Sequence, residues 1–393
     1  RGLSLVPPPT MDLRIDIQRH SSPVPAGHRR QAKIGFEPDS APGASAAWES
    51  FLARSPCGHF QQSGAWGAFK GHQGWSVASL RLYDGGRIVG GFQLLHKTKR
   101  GLRIGFVSKG PVIDPNSAEQ TGLVLQALRA LAVRERLAGV VVQPPDEAGA
   151  ALTEGMRVPP FLPSTFASVI DSTLLIDLSG GEDAVFSHFR SSTRNKYRRA
   201  GRDGLRVREG REEDIPTFFQ LMEATCRRQQ VTPNPPTGEA MLKLWRSLSV
   251  AGYSRLVIAE DRGKPLAAIF TICFGDRMTI FKTGWNGQRR EVHPNVLVVC
   301  EALRWACANG FQVADFAGLD RSLAETILAG SKISQEQNNS RDSFKLGFGG
   351  RPQLLPEVRM LVPNAAIRSS VRLATAISRT GRRLKQKSSS SHG

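Results

Sequence analysis

The sequence predicts an α/β fold of the α+β type, in which two similar units follow one another and each holds a mixed, largely antiparallel sheet. Three observations support this prediction. The 393 residues suffice for two domains of ordinary size. The content of 40% hydrophobic and 22% charged residues is that of a globular protein. In both halves, helices, a meander, a further helix and a last strand recur in the same order, without a residue-level repeat.

Four segments are predicted along the chain. Residues 1–44 are rich in Pro, Ser, Gly and Arg and lack hydrophobic periodicity, which predicts a disordered N-terminal segment. The two domains are predicted over residues 45–180 and 181–362. Residues 363–393 are predicted to form a basic amphipathic tail. Such a tail suits an anionic membrane surface, and equally a helix that packs its apolar side on the domain.

The first domain is predicted to contain a short helix from Ser63 to Phe69, because Ser63 is a good N-cap. A hairpin follows, since Asp84-Gly85-Gly86 separates two alternating apolar runs. The further elements predicted here are a helix at 117–136 and strands at 75–83, 87–96, 103–107, 140–142 and 173–178.

The second domain is predicted to hold a three-strand meander whose turns lie at residues 261–264 and 275–276. A helix begins at Pro294 and ends before Gly310. The predicted helices are 182–203, 212–228, 238–248 and 294–309, and the predicted strands are 205–208, 254–260, 265–274, 277–285, 311–316, 344–348 and 352–361.

Positive charge is concentrated in two places. The chain has a net charge of +19, and residues 190–211 and 364–393 each carry +7 of it. If residues 182–203 form one helix, four arginines recur every four residues and stack along one face, and these are Arg190, Arg194, Arg198 and Arg202. Forked guanidinium donors suit phosphate or carboxylate groups, which predicts an anionic partner. A solvated basic face is the alternative.

Cysteine usage and hydropathy point to the cytoplasm. The five cysteines are odd in number and form no CxxC pair, so neither a disulfide framework nor a metal site is predicted. No apolar run reaches the length that spans a bilayer, and residues 1–9 lack the apolar core of a signal peptide. We expect a cytoplasmic protein that the tail could bring to the inner membrane face.

Seven short motifs follow one another over residues 46–362. They are 62–66 (QSGAW) with Lys70, 109–114 (KGPVID), 173–178 (TLLIDL), 192–200 (STRNKYRRA) with Gly204, 294–295 (PN) leading to 305–310 (WACANG), 315–318 (DFAG) and 344–350 (FKLGFGG). In this order and spacing the chain resembles the FemAB-type or BioF2-like branch of the GNAT acyltransferases.

The resemblance implies two tandem GNAT-like acyl-CoA N-acyltransferase domains, with the working cleft in or beside the second. It implies that strands 277–285 and 311–316 splay apart around an acyl arm. The co-substrate is then acyl-CoA, which we favour, or aminoacyl-tRNA, and the acceptor is an amine on an anionic cell-envelope precursor, nucleotide-linked or lipid-linked. One departure is that residues 287–295 replace the glycine-rich pyrophosphate loop of ordinary GNAT enzymes.

Three residues are predicted to be catalytic. The resemblance gives Lys345 the role of balancing charge in the cleft, on a strand that turns its side chain away from its apolar neighbours. Asp315 at a strand end and His293 before a helix are candidate bases, although Asp315 could instead fix a loop and His293 could cap the helix. Glu260 is a weaker candidate, better placed as a turn residue.

Two further sets are predicted to bind substrates. A helix N-terminus favours phosphate, and the predicted cofactor-binding residues there are Arg289, Arg290, Pro294 and Asn295. The predicted substrate-binding residues are Arg194, Arg198, Trp285, Asn286 and Phe344. No permanently bound cofactor is predicted.

Two other function classes fit parts of the sequence. The row of Arg190, Arg194, Arg198 and Arg202, here called the arginine ladder, could serve a non-catalytic nucleic-acid-binding protein. However, the sequence shows no helix-turn-helix or similar nucleic-acid-binding motif and only 7% aromatic residues. The tail alone could serve a membrane-associated scaffold. The partners expected for the acyltransferase are the amine-bearing precursor, a tRNA if the donor is aminoacyl-tRNA, and an anionic membrane.

Overall fold

The computed structural model describes residues 32–37, 46–164, 170–338 and 342–369, without the side chains of 32–37. Its strands are β1 Ala32–Glu37, β2 Ser76–Asp84, β3 Arg87–Lys99, β4 Leu102–Val107, β5 Val112–Ile113, β6 Gly139–Val142, β7 Phe161–Pro163, β8 Ser172–Asp177, β9 Arg206–Gly210, β10 Ser254–Asp261, β11 Lys264–Phe274, β12 Arg277–Trp285, β13 Val313–Asp315, β14 Arg351–Leu354 and β15 Arg359–Leu361.

The helices of the described residues cover these strands. They are α1 Ala46–Arg54, α2 Gly64–Gly71, α3 Ala118–Arg134, α4 Ala150–Gly155, α5 Gly181–Ser187, α6 Ser191–Arg202, α7 Ile215–Arg228, α8 Gly238–Ser249, α9 Pro294–Ala308, α10 Arg321–Leu328, α11 Gln335–Asn338 and α12 Asp342–Leu346. None of them combines the length and the apolar character that crossing a bilayer would require.

The chain forms two compact units. The first takes the described residues within Arg1–Gln62, Gln73–Val169 and Pro356–Gly393. Its sheet has the order β1-β2-β3-β4-β6-β15-β7, with β5 beside β3, and only the β4–β6 pair is parallel. Its core lies where the apolar stripe of α3 meets the sheet, because residues such as Leu128 and Leu131 are fully buried there.

The second unit comprises Ser63–His72 and Ile170–Leu355. Its sheet has the order β14-β8-β13-β12-β11-β10-β9, and only the β12–β13 pair is parallel. The helix α9 is buried over most of its length and packs on β10, β11 and β12. The predicted fold class, mixed α/β with largely antiparallel sheets, is confirmed.

The helix α2 precedes most of the first unit in sequence but is part of the second. Ser63 caps it by accepting a hydrogen bond from the Trp66 amide at 3.1 Å, as predicted. The Trp66 ring then meets Phe281 of β12 edge-on at 6.1 Å, and α2 packs against α8. The two compact units therefore alternate along the chain, whereas the prediction placed one boundary between residues 180 and 181.

Most elements form where the local signals predict them, but two strands belong elsewhere in the fold. The strand predicted at 173–178 is β8, and it lies in the second sheet between β13 and β14. The single strand predicted at 352–361 is two, β14 in the second sheet and β15 in the first. Within the predicted disordered segment, residues 32–37 form β1, which pairs with β2.

Two predicted elements are wrong in type or extent. The helix predicted at 182–203 is broken at residues 188–190 into α5 and α6. The strand predicted at 344–348 is the helix α12, in which Lys345 pairs with Asp342 one turn earlier at 2.9 Å. The chain then turns at Gly349, where a Cβ would lie 2.8 Å from the carbonyl oxygen of His188, so that only glycine fits.

A buried ion pair between Lys109 and Asp146 locks the first unit, with side chains 8% and 6% exposed. We predict that Lys109→Met lowers the free energy of unfolding by about 3–5 kcal/mol, because the Asp146 carboxylate stays buried without its cation. Urea titration measures the loss. The double variant Lys109→Met/Asp146→Leu should recover most of it, and a double variant as unstable as the single one would contradict this account.

Candidate active site

The strands β12 and β13 diverge in the second unit. They pair in parallel over three residues only, Arg277–Thr279 with Val313–Asp315. The strand β12 continues to Trp285 and stays paired with β11 on its other edge. Among the described residues, the edge of β12 from Ile280 onward therefore faces no strand. The resemblance implies such a split, which gives room for an extended acyl group between two backbones.

A β-bulge lies beside this split. Phe270 of β11 pairs with Lys282, and the next residue, Thr271, pairs with Ile280, so Phe281 is the extra residue of the bulge. Bulges interrupt the ladder and redirect side chains, and they are frequent next to active sites. Here the bulge brings Phe281 toward Trp66 and Phe270, at ring distances of 6.1 and 6.4 Å.

The Asp315 carboxylate organises the loop that follows β13. It is buried and accepts hydrogen bonds from the Thr173 hydroxyl and from the Ala317 amide, the latter at 2.7 Å. Its second oxygen lies 3.6 Å from Arg277. These contacts support the loop-anchoring alternative for Asp315, because its oxygens are already engaged within the protein.

Lys345 meets the same loop. Its ammonium donates to the Gly318 carbonyl oxygen and lies 2.9 Å from the Asp342 carboxylate, with 24% of the side chain exposed. Asp342 also accepts from the Asp320 amide at 2.9 Å. The structure therefore brings together two of the predicted catalytic residues, Asp315 and Lys345. Asp342 is not among the residues predicted from the sequence, although its position three residues before a lysine would signal the pair in a helix.

His293 lies apart from this pair. It begins α9 in a left-handed conformation, with φ 53°, and its side chain does not cap the helix. Burial lowers the pKa of its imidazole, and the nearby cations Lys196 and Arg199 of α6 lower it further. No hydrogen bond or ion pair among the described residues joins His293 to Asp315 or Lys345.

The start of α9 offers few amide donors. Pro294 has no N–H, and the amides of Val296 and Leu297 both donate to the His293 carbonyl oxygen, at 3.0 and 3.2 Å. Asn295 supplies the remaining first-turn amide. Phosphate cradles at helix starts use several converging amides, so this helix is poorly built for a pyrophosphate.

Of the two arginines predicted to hold phosphate, one is engaged. Arg289 has a positive φ of 52° and pairs with Asp261 at 3.2 Å and with Glu291 at 3.1 Å. Arg290 is exposed in the same turn. Lys196 and Arg199 of α6 also add positive charge here, a contribution that is not among the predictions from the sequence.

The break between α5 and α6 divides the arginine ladder. Arg194 turns back and donates to the carbonyl oxygens of Ser187 and Phe189, where α5 ends. Arg198 is exposed, touches Asn195 at 3.5 Å and lines a shallow groove with Arg202. Within the arginine ladder, Arg194 therefore makes structural contacts, whereas Arg198 and Arg202 form an exposed basic surface.

The remaining predicted substrate-binding residues lie at two places. The Trp285 backbone bonds in both directions with the Thr225 hydroxyl, at 2.9 and 3.1 Å, and its ring lies 4.8 Å below the Arg228 guanidinium. The side-chain amide of Asn286 donates to the Pro265 carbonyl oxygen and accepts from the Gln288 backbone amide, and these bonds shape the next turn. Phe344 directly precedes Lys345 in α12. It is 36% exposed, and its ring packs against that of Phe348 at 5.1 Å.

Comparison with known proteins agrees with this geometry. The profile of the GNAT acetyltransferase domain matches residues 187–322, and that of the FemAB family matches residues 44–159. The resemblance to FemAB-type acyltransferases of the GNAT superfamily is confirmed. These matches favour an acyltransferase over a non-catalytic nucleic-acid-binding protein.

Two curated relatives and one solved structure illustrate this similarity. It is 25% identical over 305 residues to a UDP-N-acetylmuramoylpentapeptide-lysine N(6)-alanyltransferase of Weissella viridescens, covering 73% of this chain and 88% of that enzyme. It is 24% identical over 191 residues to a lipid II:glycine glycyltransferase of Staphylococcus aureus (strain MRSA252), covering 46% of this chain and only 45% of that enzyme. The crystal structure of FemX shares the fold, with a TM-score of 0.69 and 15% identity over 80% of this chain and 94% of that one.

We predict different consequences for two arginines one turn apart on α6. Arg194→Ala should lower the free energy of unfolding by about 1.5–3 kcal/mol, because it removes a charged donor from two carbonyl oxygens. Arg198→Ala, the matched control on the exposed face, should stay within about 0.5 kcal/mol of the parent protein. Urea unfolding of both variants tests this, and equal losses would refute the structural role of Arg194.

His293 should make stability depend on pH in a defined direction. Its folded pKa lies below the ordinary value of 6.5, so the unfolded chain binds the proton more readily. The stabilisation present above pH 6.5 is then lost as the pH falls toward the folded pKa. We predict that His293→Asn, which tolerates the left-handed backbone, gains stability relative to the parent protein between pH 7.5 and pH 5. A pH-independent difference in urea unfolding would contradict the prediction.

Proposed function

We propose that this protein transfers an aminoacyl group to an amine of a peptidoglycan-type precursor. The observation that carries the proposal is the split between β12 and β13, whose pairing ends at Asp315, beside the loop that Lys345 contacts. In the reaction, the acceptor nitrogen attacks the donor carbonyl carbon. The new C–N bond forms, the C–O bond of the donor ester breaks, and the amine proton passes to the leaving oxygen.

The names of the relatives support this choice of acceptor. One is an alanyltransferase for the lysine N6 of a UDP-N-acetylmuramoylpentapeptide, and another is a glycyltransferase for lipid II and glycine. Both names describe an amine nucleophile and an anionic, phosphate-linked carrier. The exposed arginines of α6 beyond Arg194 suit such a carrier, because guanidinium groups pair readily with phosphate.

Aminoacyl-tRNA is a better donor for this site than the acyl-CoA that the sequence analysis favours. The relatives are named for alanyl and glycyl transfer. In addition, α9 begins with Pro294 and directs two of its first amides to His293, which leaves little to hold a pyrophosphate. A tRNA would instead contact exposed cations beside the start of α9, among them Lys196 and Arg290.

We assign Lys345 the role of stabilising negative charge that develops on the donor carbonyl oxygen. Its ammonium is partly exposed, and Asp342 and the Gly318 carbonyl hold it in place. A fixed cation of this kind needs no reorganisation as the charge develops. Of the four predicted contacts to donor phosphate, Arg289 is paired with two acids and Pro294 has no N–H, which leaves Arg290 and Asn295 for a tRNA phosphate. Trp285, Asn286 and Phe344 remain the predicted contacts to the acceptor. The protein needs no permanently bound cofactor for this chemistry.

We predict that the purified protein, given UDP-N-acetylmuramoylpentapeptide with a lysine side chain, forms an aminoacylated product from alanyl-tRNA or glycyl-tRNA. Mass spectrometry of the nucleotide product measures the transfer. With acetyl-CoA or alanyl-CoA the same assay should give at least about tenfold less product, because the start of α9 does not cradle a pyrophosphate.

The control is Lys345→Ala, which should lower kcat about 100-fold or more while the protein still unfolds cooperatively. Efficient transfer from a CoA thioester alone would overturn the donor assignment. No transfer from any of these donors, to either the nucleotide-linked or the lipid-linked form of the precursor, would overturn the proposed function.

A further inference from the structure

Lys282 is a basic residue in an unusual position. It lies on β12, three residues beyond the last pair with β13, and directly follows the bulge residue Phe281. It pairs in register with Phe270, whose ring packs toward Phe218 of α7 and Trp245 of α8. Lys282 therefore stands on the α7 side of the sheet, beside the open edge of β12.

The ammonium of Lys282 has no carboxylate partner among the residues that the structure describes. It lies 4.6 Å from the centre of the Phe281 ring, and its side chain is half-buried. Burial lowers the pKa of Lys282, and of the neighbouring titratable groups only the Cys226 thiol counters this shift. A surface lysine would be hydrated and a structural one paired, but Lys282 is neither.

The other charged groups on the elements packed here do not stabilise its ammonium form. The helix α7 carries Glu223, Cys226 and Arg228, and α2 carries Lys70. Glu223 forms no ion pair with Lys282, and burial raises the pKa of Cys226, which keeps that thiol uncharged. Arg228 lies over Trp285, and Lys70 lies over the rings of Trp66 and Phe69. Lys282 thus has an aromatic neighbour, Phe281, and among the described residues no carboxylate that holds its proton.

The bases predicted from the sequence are engaged elsewhere. Asp315 is bound to Thr173, Ala317 and Arg277. Glu260 pairs with Arg208 at 2.7 Å. His293 lies among the cations of α6 at the start of α9. None of the three is free beside the open edge of β12, where an acceptor amine would reach a carbonyl group held in the split.

We propose that Lys282, in its neutral form, is the catalytic base that takes the proton from the acceptor amine as its nitrogen attacks the donor carbonyl. The new C–N bond forms while the proton moves from that nitrogen to Nζ of Lys282. Nζ then returns the proton to the leaving oxygen of the donor ester, so that Lys282 ends neutral. This inference rests on the proposed acyl transfer and adds to it the residue that moves the proton.

The test compares Lys282→Arg with Lys282→Met in the alanyl-tRNA and glycyl-tRNA assay. Arginine keeps a cation of similar length but is not deprotonated, whereas methionine keeps the length without any base. If Lys282 is the base, both variants should lose about 100-fold or more in kcat, with KM within about threefold of the parent value. An arginine variant that retains kcat within threefold would overturn the proposal and indicate that Lys282 acts only as a positive charge. A methionine variant that retains kcat would overturn the proposal as well.

Two further measurements keep the test independent of folding defects. The exposed Lys264→Met on β11 is the matched control and should retain the parent kcat, while thermal unfolding is followed for every variant. In the parent protein, kcat should rise with pH below 10.5, the ordinary lysine pKa, as Lys282 loses its proton, and a flat profile would overturn the proposal. A parent protein inactive with every donor would instead mark the failure of the proposed function.

Discussion

The short parallel pairing between β12 and β13 is the constraint on which the second unit depends. Three residue pairs hold the strands together at one end, and the next six residues of β12 have β11 on one side only. Keeping the strands apart requires support from both faces of the sheet. The buried helix α9 supplies it on one face and α7 on the other, so the opening is part of a rigid core.

Polar contacts at the end of β13 convert this opening into a candidate site. Asp315 uses its buried carboxylate to fix the loop to Gly318, and that loop in turn receives the Lys345 ammonium. The ring of Phe348 packs against Phe316 of the same loop and against Phe189 near the break before α6. The residues around the split are therefore held by one connected set of contacts, which is the preorganisation that charge stabilisation needs.

Local signals in the sequence were sufficient for elements that are specified by their own residues. The meander β10–β12 follows from alternating apolar residues and glycine turns, and α9 follows from an apolar run between Pro294 and Gly310. The segment 344–348 was wrongly predicted as a strand, because its apolar and polar residues alternate as they do in strands. Its helical form depends on the Asp342–Lys345 pair and on the glycine turn beside His188. Such contacts cannot be read from periodicity.

By itself, the sequence determined the fold class, the order of most elements and the family resemblance, because these depend on composition, hydrophobic period and turn residues. Only the tertiary structure decided which basic residues are available for chemistry. It engages Arg194 with backbone carbonyls and Arg289 with two acids, and within the part of the chain that the structure describes it gives the half-buried Lys282 no counter-ion. The reason is physical: the state of a charged side chain depends on its desolvation and its partners, and these come from segments far away in the chain.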